Sequence, residues 1–171
     1  MTDLKKLIRD IPDFPKPGIV FKDITPLLKD PAGFRGAVTQ LCEAIRRESC
    51  DIIVGIESRG FLFGAAAALE MGIGFVPIRK PNKLPYETVR QSYELEYGTD
   101  EIEMHVDALV PGQRIALVDD LLATGGTMAA SCRLVESVDA KVCLCAFVVE
   151  LGFLEGRKKL AGYEIASLLT F

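Results

Sequence analysis

The sequence contains no tryptophan, only one histidine and few aromatic residues, 8% of the chain. The lone histidine, His105, has no cysteine or carboxylate at metal-ligand spacing, so a structural or interface role is expected for it. No C-x-x-C pair occurs among Cys42, Cys50, Cys132, Cys143 and Cys145. That omission, with an odd count, argues against a zinc site and a disulfide framework and for a reducing compartment. Cys143 and Cys145 lie in an apolar run and read as small core residues. The lysine-bearing P-loop pattern is missing, and Gly72-x-Gly74 lacks the third glycine of a dinucleotide fingerprint. No apolar run reaches the length of a membrane span. There is no surplus of positive charge: 20 Lys and Arg face 24 Asp and Glu, a net charge of −4. A broad basic footprint for nucleic acid is thereby excluded. The opening stretch MTDLKKLIRDI is charged and amphipathic, without a signal-peptide core. A cytoplasmic protein with no membrane or nucleic-acid partner is expected.

What remains is the balance of a globular protein, 49% apolar and 26% charged over 171 residues. That length suggests one domain, residues 1–171, able to bury roughly 70% of its unfolded surface. No internal repeat, low-complexity tract or linker divides it. A short helix is expected over 4–10. Four prolines make 12–26 largely extended. Phe34, Val38, Leu41 and Ile45 recur at helical spacing over 31–47. Ile52-Ile-Val-Gly-Ile56 reads as a buried strand, followed by an Ala-rich helix to Met71 that Gly72 stops. A strand at 75–78 leads into a basic, proline-punctuated loop over 79–90. Two alternating pieces, 93–97 and 101–106, suggest a hairpin. Strands at 114–118, 141–149 and 163–169 and helices at 125–138 and 153–161 complete the pattern. Continuous apolar strands alternating with helices imply an α/β fold, a mostly parallel sheet with helices on both faces. Ligands of such sheets sit beyond the carboxyl ends of the strands, where the turns at 57–60 and 119–127 fall.

One stretch, VDDLLATGGT at 118–127, demands chemistry. A strand-to-helix turn of Ala123, Thr124, Gly125, Gly126 and Thr127 offers free backbone N–H groups, two hydroxyls and close approach, a cradle for a phosphate monoester. The plainer alternative is an ordinary turn with Thr124 as helix cap. Asp119 and Asp120 repel each other unless a cation or hydroxyls bind them. A ribose diol or a hydrated Mg²⁺ would serve; an exposed acidic turn is the alternative. Phosphate on one side and a diol on the other describe a ribose 5-phosphate.

VDDLLATGGT resembles the phosphoribosyl-pyrophosphate motif of the type I phosphoribosyltransferases, and its wording is similar to those members that act on adenine. The likeness runs in order along nearly the whole chain: PDFPKPGIVFKDITPLL at 12–28, GIESRGFLFG at 55–64, RKPNKLP at 79–85, SYELEYG at 92–98 and VELGFLEGR at 149–157. It implies a central parallel sheet, a small N-terminal hood over the base site (about 1–30), a core (about 31–171) and a flexible loop or hairpin over the site. The implied reaction joins adenine to 5-phosphoribosyl 1-pyrophosphate (PRPP), giving AMP and pyrophosphate in purine salvage.

By this resemblance the 5′-phosphate lies at 123–127, and Asp119 and Asp120 take the ribose hydroxyls and favour a cationic transition state. Ser58, Arg59, Arg79 and Lys83 take the pyrophosphate, with a cis peptide at Glu57–Ser58. Lys83 serves its own site or a neighbouring subunit's; an ordinary solvated loop is the alternative for 79–90. Phe21 stacks on the purine, Leu151 forms the other wall, and the Val20 backbone pairs with the adenine edge. Without the resemblance Phe21 reads as core. Lys22 stands where relatives often carry arginine, and as a point charge it gives no bidentate contact. Glu96 is the candidate general acid/base with Tyr97 beside it; from the pattern alone it is the wet face of a strand. Mg²⁺ is carried by PRPP and water, with no direct protein ligand. A homodimer is implied. The alternatives are an enzyme for xanthine, hypoxanthine or guanine and a non-catalytic PRPP-binding regulator.

Overall fold

The structure, a computed structural model, describes residues 3–95 and 98–171. Its centre is a five-stranded parallel sheet in the order β4-β3-β7-β8-β9: Gly74–Ile78, Ile52–Ile56, Arg114–Leu122, Lys141–Glu150 and Ile165–Thr170. Each apolar strand alternates between two cores. Ile53, Ala116 and Val118 face one core with Leu41, Ile45 and Phe63. Val54, Ile115 and Leu117 face the other with Met128, Leu134 and Val135. Helices therefore cover both faces, as expected: α2 (Pro31–Arg47) and α3 (Gly60–Met71) on one side, α4 (Gly126–Glu136) on the other.

Local chemistry fixes the helix ends. Asp30 accepts a hydrogen bond from the Gly33 amide at 2.6 Å, and Pro31 opens α2 with its φ already helical. Arg46 and Arg47 close it where cations suit the helix dipole. Gly72, at φ +68°, ends α3.

Two antiparallel hairpins stand outside the sheet, β1–β2 (Arg9–Pro12 with Val20–Asp23) and β5–β6 (Thr88–Leu95 with Gly98–His105). Several boundaries differ from the sequence reading. The expected helix at 4–10 is a single 3-10 turn, Leu4–Leu7, after which the chain enters β1. The extended 12–26 segment ends in a short helix, α1 (Thr25–Lys29), opened by Pro26. The loop expected over 79–90 already pairs as β5 from Thr88. The expected helix at 153–161 is two 3-10 turns, Gly152–Leu154 and Gly156–Leu160, because Glu155 adopts φ +53° between them. β7 runs four residues past its expected end, so Asp119 and Asp120 are strand residues. No helix among the described residues is long and apolar enough to cross a membrane.

Candidate active site

β3 and β7 are neighbours in register, with Gly55 opposite Val118. Their carboxyl ends therefore bring the Glu57–Arg59 turn beside Asp119 and Asp120. α3 starts close against β7: a Cβ on Gly60 would lie 2.7 Å from the Val118 carbonyl and 2.9 Å from an Asp119 oxygen. Glycine is required at that contact. A cleft over this junction is lined by Ser58, Arg59, Lys80, Asp119, Asp120 and Thr127.

A hollow beside it is lined by Asp119, residues 121–128 and Phe147. Its floor is the 123–127 loop leading into α4. Gly125 caps the helix at φ +80°, without a side-chain cap bond, so Thr124 is not the cap. The loop is braced from behind. A Cβ on Gly125 would meet the Gly156 carbonyl at 2.5 Å, and one on Gly156 would meet the Ala123 carbonyl at 2.3 Å. Two glycine backbones thus lie in direct contact. Leu151 donates its amide to the Leu122 carbonyl at 2.9 Å. Arg157 holds Glu150 in a two-pronged bond of 2.7 and 2.8 Å, and that guanidinium keeps the nearly buried Glu150 carboxyl below its ordinary range.

The acid pair is not an exposed turn. Asp120 is 6% exposed and ion-paired with Arg59, whose Nε lies 2.7 Å away. Asp119 is half-buried at the cleft, and the loss of solvent around its carboxyl, then the Asp120 charge, raise it well above the ordinary value. A hydroxyl-bearing ligand would relieve both effects.

The expected cis peptide is present at Glu57–Ser58. Two of the three cations expected for pyrophosphate, Arg79 and Lys83, are gathered around the Glu57 carboxylate, while Arg59 pairs with Asp120. Glu57 accepts from Lys83 Nζ at 2.5 Å, the Lys80 amide at 2.9 Å and Arg79 Nε at 3.3 Å. Burial pushes Glu57 up, but these three donors outweigh it and hold the carboxyl below its ordinary range. Lys80, one of the cations of the 79–90 loop, lines the cleft itself. Its ammonium is paired with Asp100 and donates to the Tyr93 hydroxyl at 3.0 Å. Thr127 donates to the same hydroxyl at 3.4 Å, which ties the β5–β6 hairpin to the 123–127 loop. Buried Glu103 accepts from the Lys83 and Leu84 amides and anchors the connecting loop.

The β1–β2 hairpin reaches the same end of the sheet. Phe21 is half-buried, edge-on to Phe14 at 5.3 Å, and the Arg59 guanidinium stands 5.4 Å from its ring centroid. It is not part of either buried core. Val20 is 45% exposed, opposite Pro12, which has no N–H to offer it. Leu151 is packed into the first core. Lys22 turns elsewhere: its ammonium lies 2.6 Å from Asp10 and 4.2 Å from the Phe171 ring centroid, tying the hairpin to the C-terminal end. His105 packs edge-on against Tyr86 at 6.0 Å, a structural contact. Glu96 and Tyr97 lie outside the described residues. Among the described residues, no group of three or more His, Cys, Asp or Glu is placed to hold a metal ion.

A model of the phosphoribosyl transferase domain matches residues 26–163. Adenine phosphoribosyltransferase of Desulfitobacterium hafniense (strain Y51) is 60% identical over 169 residues, 99% of this chain and 98% of that protein. The chain belongs to the adenine phosphoribosyltransferase family. The fold agrees. The crystal structure of the family member from Thermoanaerobacter pseudethanolicus superimposes with a TM-score of 0.96 at 56% identity, covering 99% of this chain and 98% of that one. The family member from Saccharomyces cerevisiae, complexed with an imino-altritol bisphosphate and adenine, gives a TM-score of 0.91 at 42% identity, covering 97% and 96%. The type I phosphoribosyltransferase fold expected from the motifs is thus the fold of this family member.

Proposed function

We infer that this chain transfers the 5-phosphoribosyl group of PRPP to adenine, giving AMP and pyrophosphate, as a purine-salvage enzyme. The observation that carries this reading is the meeting, at one end of one sheet, of a glycine loop at a helix start, an acid pair with Asp120 buried, and an aromatic ring. Family membership supplies the second support: the yeast relative was crystallised with adenine and a sugar-like bisphosphate.

In this mechanism the 5′-phosphate seats on the amides and hydroxyls of Ala123 to Thr127. Asp119 and Asp120 accept hydrogen bonds from the ribose hydroxyls. Their negative charge favours the transition state, in which positive charge spreads over the sugar as pyrophosphate departs. Ser58, Arg59, Arg79 and Lys83 receive the leaving pyrophosphate. Arg79 and Lys83 are bonded to Glu57, so the incoming anion must share or displace that carboxylate. Glu57 keeps the two cations gathered and partly neutralised until then.

Adenine lies between Phe21 and Leu151, under a hood formed by about the first 30 residues. The Val20 backbone reads its edge, at a position whose cross-strand neighbour, Pro12, has no N–H to donate. Lys22 supports this wall through Asp10 and Phe171. Glu96 takes the proton released as N9 attacks, with Tyr97 orienting base or ribose. Mg²⁺ would be held by PRPP oxygens and water, with no direct protein ligand. The donor groups at the cleft suit a hard ion held through substrate oxygens and water rather than a protein cage. When bound, the ion neutralises charge on the leaving group. The working molecule is a cytoplasmic homodimer, a setting that fits the five free thiols.

The test is incubation of the protein with adenine, PRPP and Mg²⁺. AMP and pyrophosphate should appear in equal amounts, and chelation of the metal should stop the reaction. Guanine, hypoxanthine and xanthine should react far more slowly, since each carries a carbonyl where adenine carries an amino group. Equal or faster turnover of guanine would overturn the adenine assignment.

A further inference from the structure

The β1–β2 hairpin pairs with no strand of the central sheet. Its place at the sheet end therefore depends on its two chain connections and on side-chain contacts. One of those contacts leads to Phe171, which directly follows β9.

The Phe171 backbone brackets Leu151. Its N–H donates to the Glu150 carbonyl at 3.0 Å, and its carbonyl accepts from the Gly152 N–H at 2.9 Å. These are the evenly spaced, slanted bonds of a parallel pair, carried one residue past β9. Gly152 permits the approach: a Cβ there would come within 3.3 Å of the Thr170 methyl and 3.5 Å of the Phe171 carbonyl. Leu151 is thus fixed by Phe171 on one side and, through its own N–H, by Leu122 on the other.

The Phe171 ring faces the hairpin. Lys22 Nζ lies 4.2 Å from its centroid and Lys5 Nζ 4.6 Å. Such cation–π contacts strengthen as the ammonium loses water, and the Lys22 side chain is only 12% exposed. Its ion-pair partner, Asp10, lies on the same hairpin, so that pair balances charge without holding the hairpin to anything else. The ring supplies the hold. Lys5 adds to it, donating to the Thr170 carbonyl at 3.0 Å. Lys22 directly follows Phe21, so fixing one fixes the strand that presents the other. An aliphatic side chain of similar bulk would still pack against the first core, as Phe171 does, but would offer no face to either ammonium.

We propose that Phe171 is a positioning residue for the adenine site: its backbone sets the Leu151 wall, and its ring, through Lys22, sets the Phe21 wall. This deepens the adenine reading above and rests on it. The spacing of the two walls then depends on one residue.

The test compares Phe171→Leu, which keeps the backbone bonds and apolar bulk without a π face, with Phe171→Tyr, which keeps the face. Phe171→Leu should raise KM for adenine about 3- to 5-fold, the size of a partly shielded cation–π contact, and leave kcat and KM for PRPP within about 2-fold. Phe171→Tyr should stay at the parental values. Lys22→Met should raise the adenine KM in the same direction and serves if the leucine variant unfolds. The double variant should do no worse than Phe171→Leu alone, because both changes remove one contact. Amide hydrogen exchange in β1–β2, read without any substrate, should quicken by a similar factor in Phe171→Leu and not in Phe171→Tyr. Parental adenine KM and parental hairpin exchange in Phe171→Leu overturn the proposal and leave the adenine reading standing. Equal rises in both KM values, or no recovery with tyrosine, make Phe171 merely structural and also overturn it. A parent that forms no AMP overturns the adenine reading and the proposal together.

Discussion

Arg59 stands between the acid pair and the aromatic ring: its Nε lies 2.7 Å from Asp120, and its guanidinium is 5.4 Å from the Phe21 ring centroid. One side chain therefore links the acid pair at the end of β7 to the β1–β2 hairpin. Asp120, nearly buried, depends on that arginine for its charge balance.

The acid pair should be costly to the fold and needed for the chemistry. Asp119→Asn with Asp120→Asn should lower turnover by at least about 100-fold with the fold retained. The single variant Asp119→Asn should melt at or above the parent temperature at pH 7. The sign follows from its raised carboxyl value. A raised acid binds its proton more tightly when folded, so its ionisation destabilises the fold as pH rises past the unfolded value of about 3.9. The gain in the asparagine variant should grow above that pH and vanish below it. Calorimetry from pH 4 to 8, with initial-rate assays, tests both parts; parental turnover in the double variant would remove the catalytic role.

Phe21→Ala should raise the apparent KM for adenine about 10-fold or more and leave that for PRPP nearly unchanged. Stacking of a base on an aromatic ring is worth about 1–3 kcal/mol. The ring lies outside both cores, so the melting temperature should move little. An unchanged adenine dependence would make Phe21 structural.

Gly156→Ala places a methyl 2.3 Å from the Ala123 carbonyl, and backbone cannot yield as a side-chain tip would. A cost of about 1–3 kcal/mol is expected from such overpacking. More telling, the 123–127 loop should shift, so KM for PRPP should rise while that for adenine holds. Steady-state kinetics with each substrate varied separates the two.

Glu150→Gln tests the brace behind the loop. The Arg157 bond depresses the Glu150 carboxyl, so its stabilisation is full above the unfolded value near 4.5 and is lost as pH falls through the folded value. Arg157 is half exposed, which discounts the pair to about 1 kcal/mol, or roughly 2–4 °C in Tm. The parent should exceed the variant by that margin at pH 7, and the gap should narrow as pH falls below 4.5.

The parallel sheet and the place of the site were legible because continuous apolar runs such as Ile52–Ile56 permit few other structures. The loop at 123–127 was legible because glycines and hydroxyls at a strand-to-helix junction have a direct physical meaning. The hub at Glu57 was not. Its partners lie 22 to 26 residues away, and only the pairing of β3 with β4 brings them together. The end of β7 was misjudged for a related reason. Two carboxylates look like a strand end, yet Leu121 and Leu122 remain paired with Val149 and Glu150. The helix expected at 153–161 is broken into two turns by Glu155, in the left-handed region.

The back-to-back contact of Gly125 and Gly156 bears on reuse of the motif. Ten familiar letters are not a portable module. A designer who grafts residues 118–127 onto another parallel sheet would transplant the cradle without its buttress, and the amides would have nothing to hold their aim. The segment from Glu150 to Leu160 would have to travel with it.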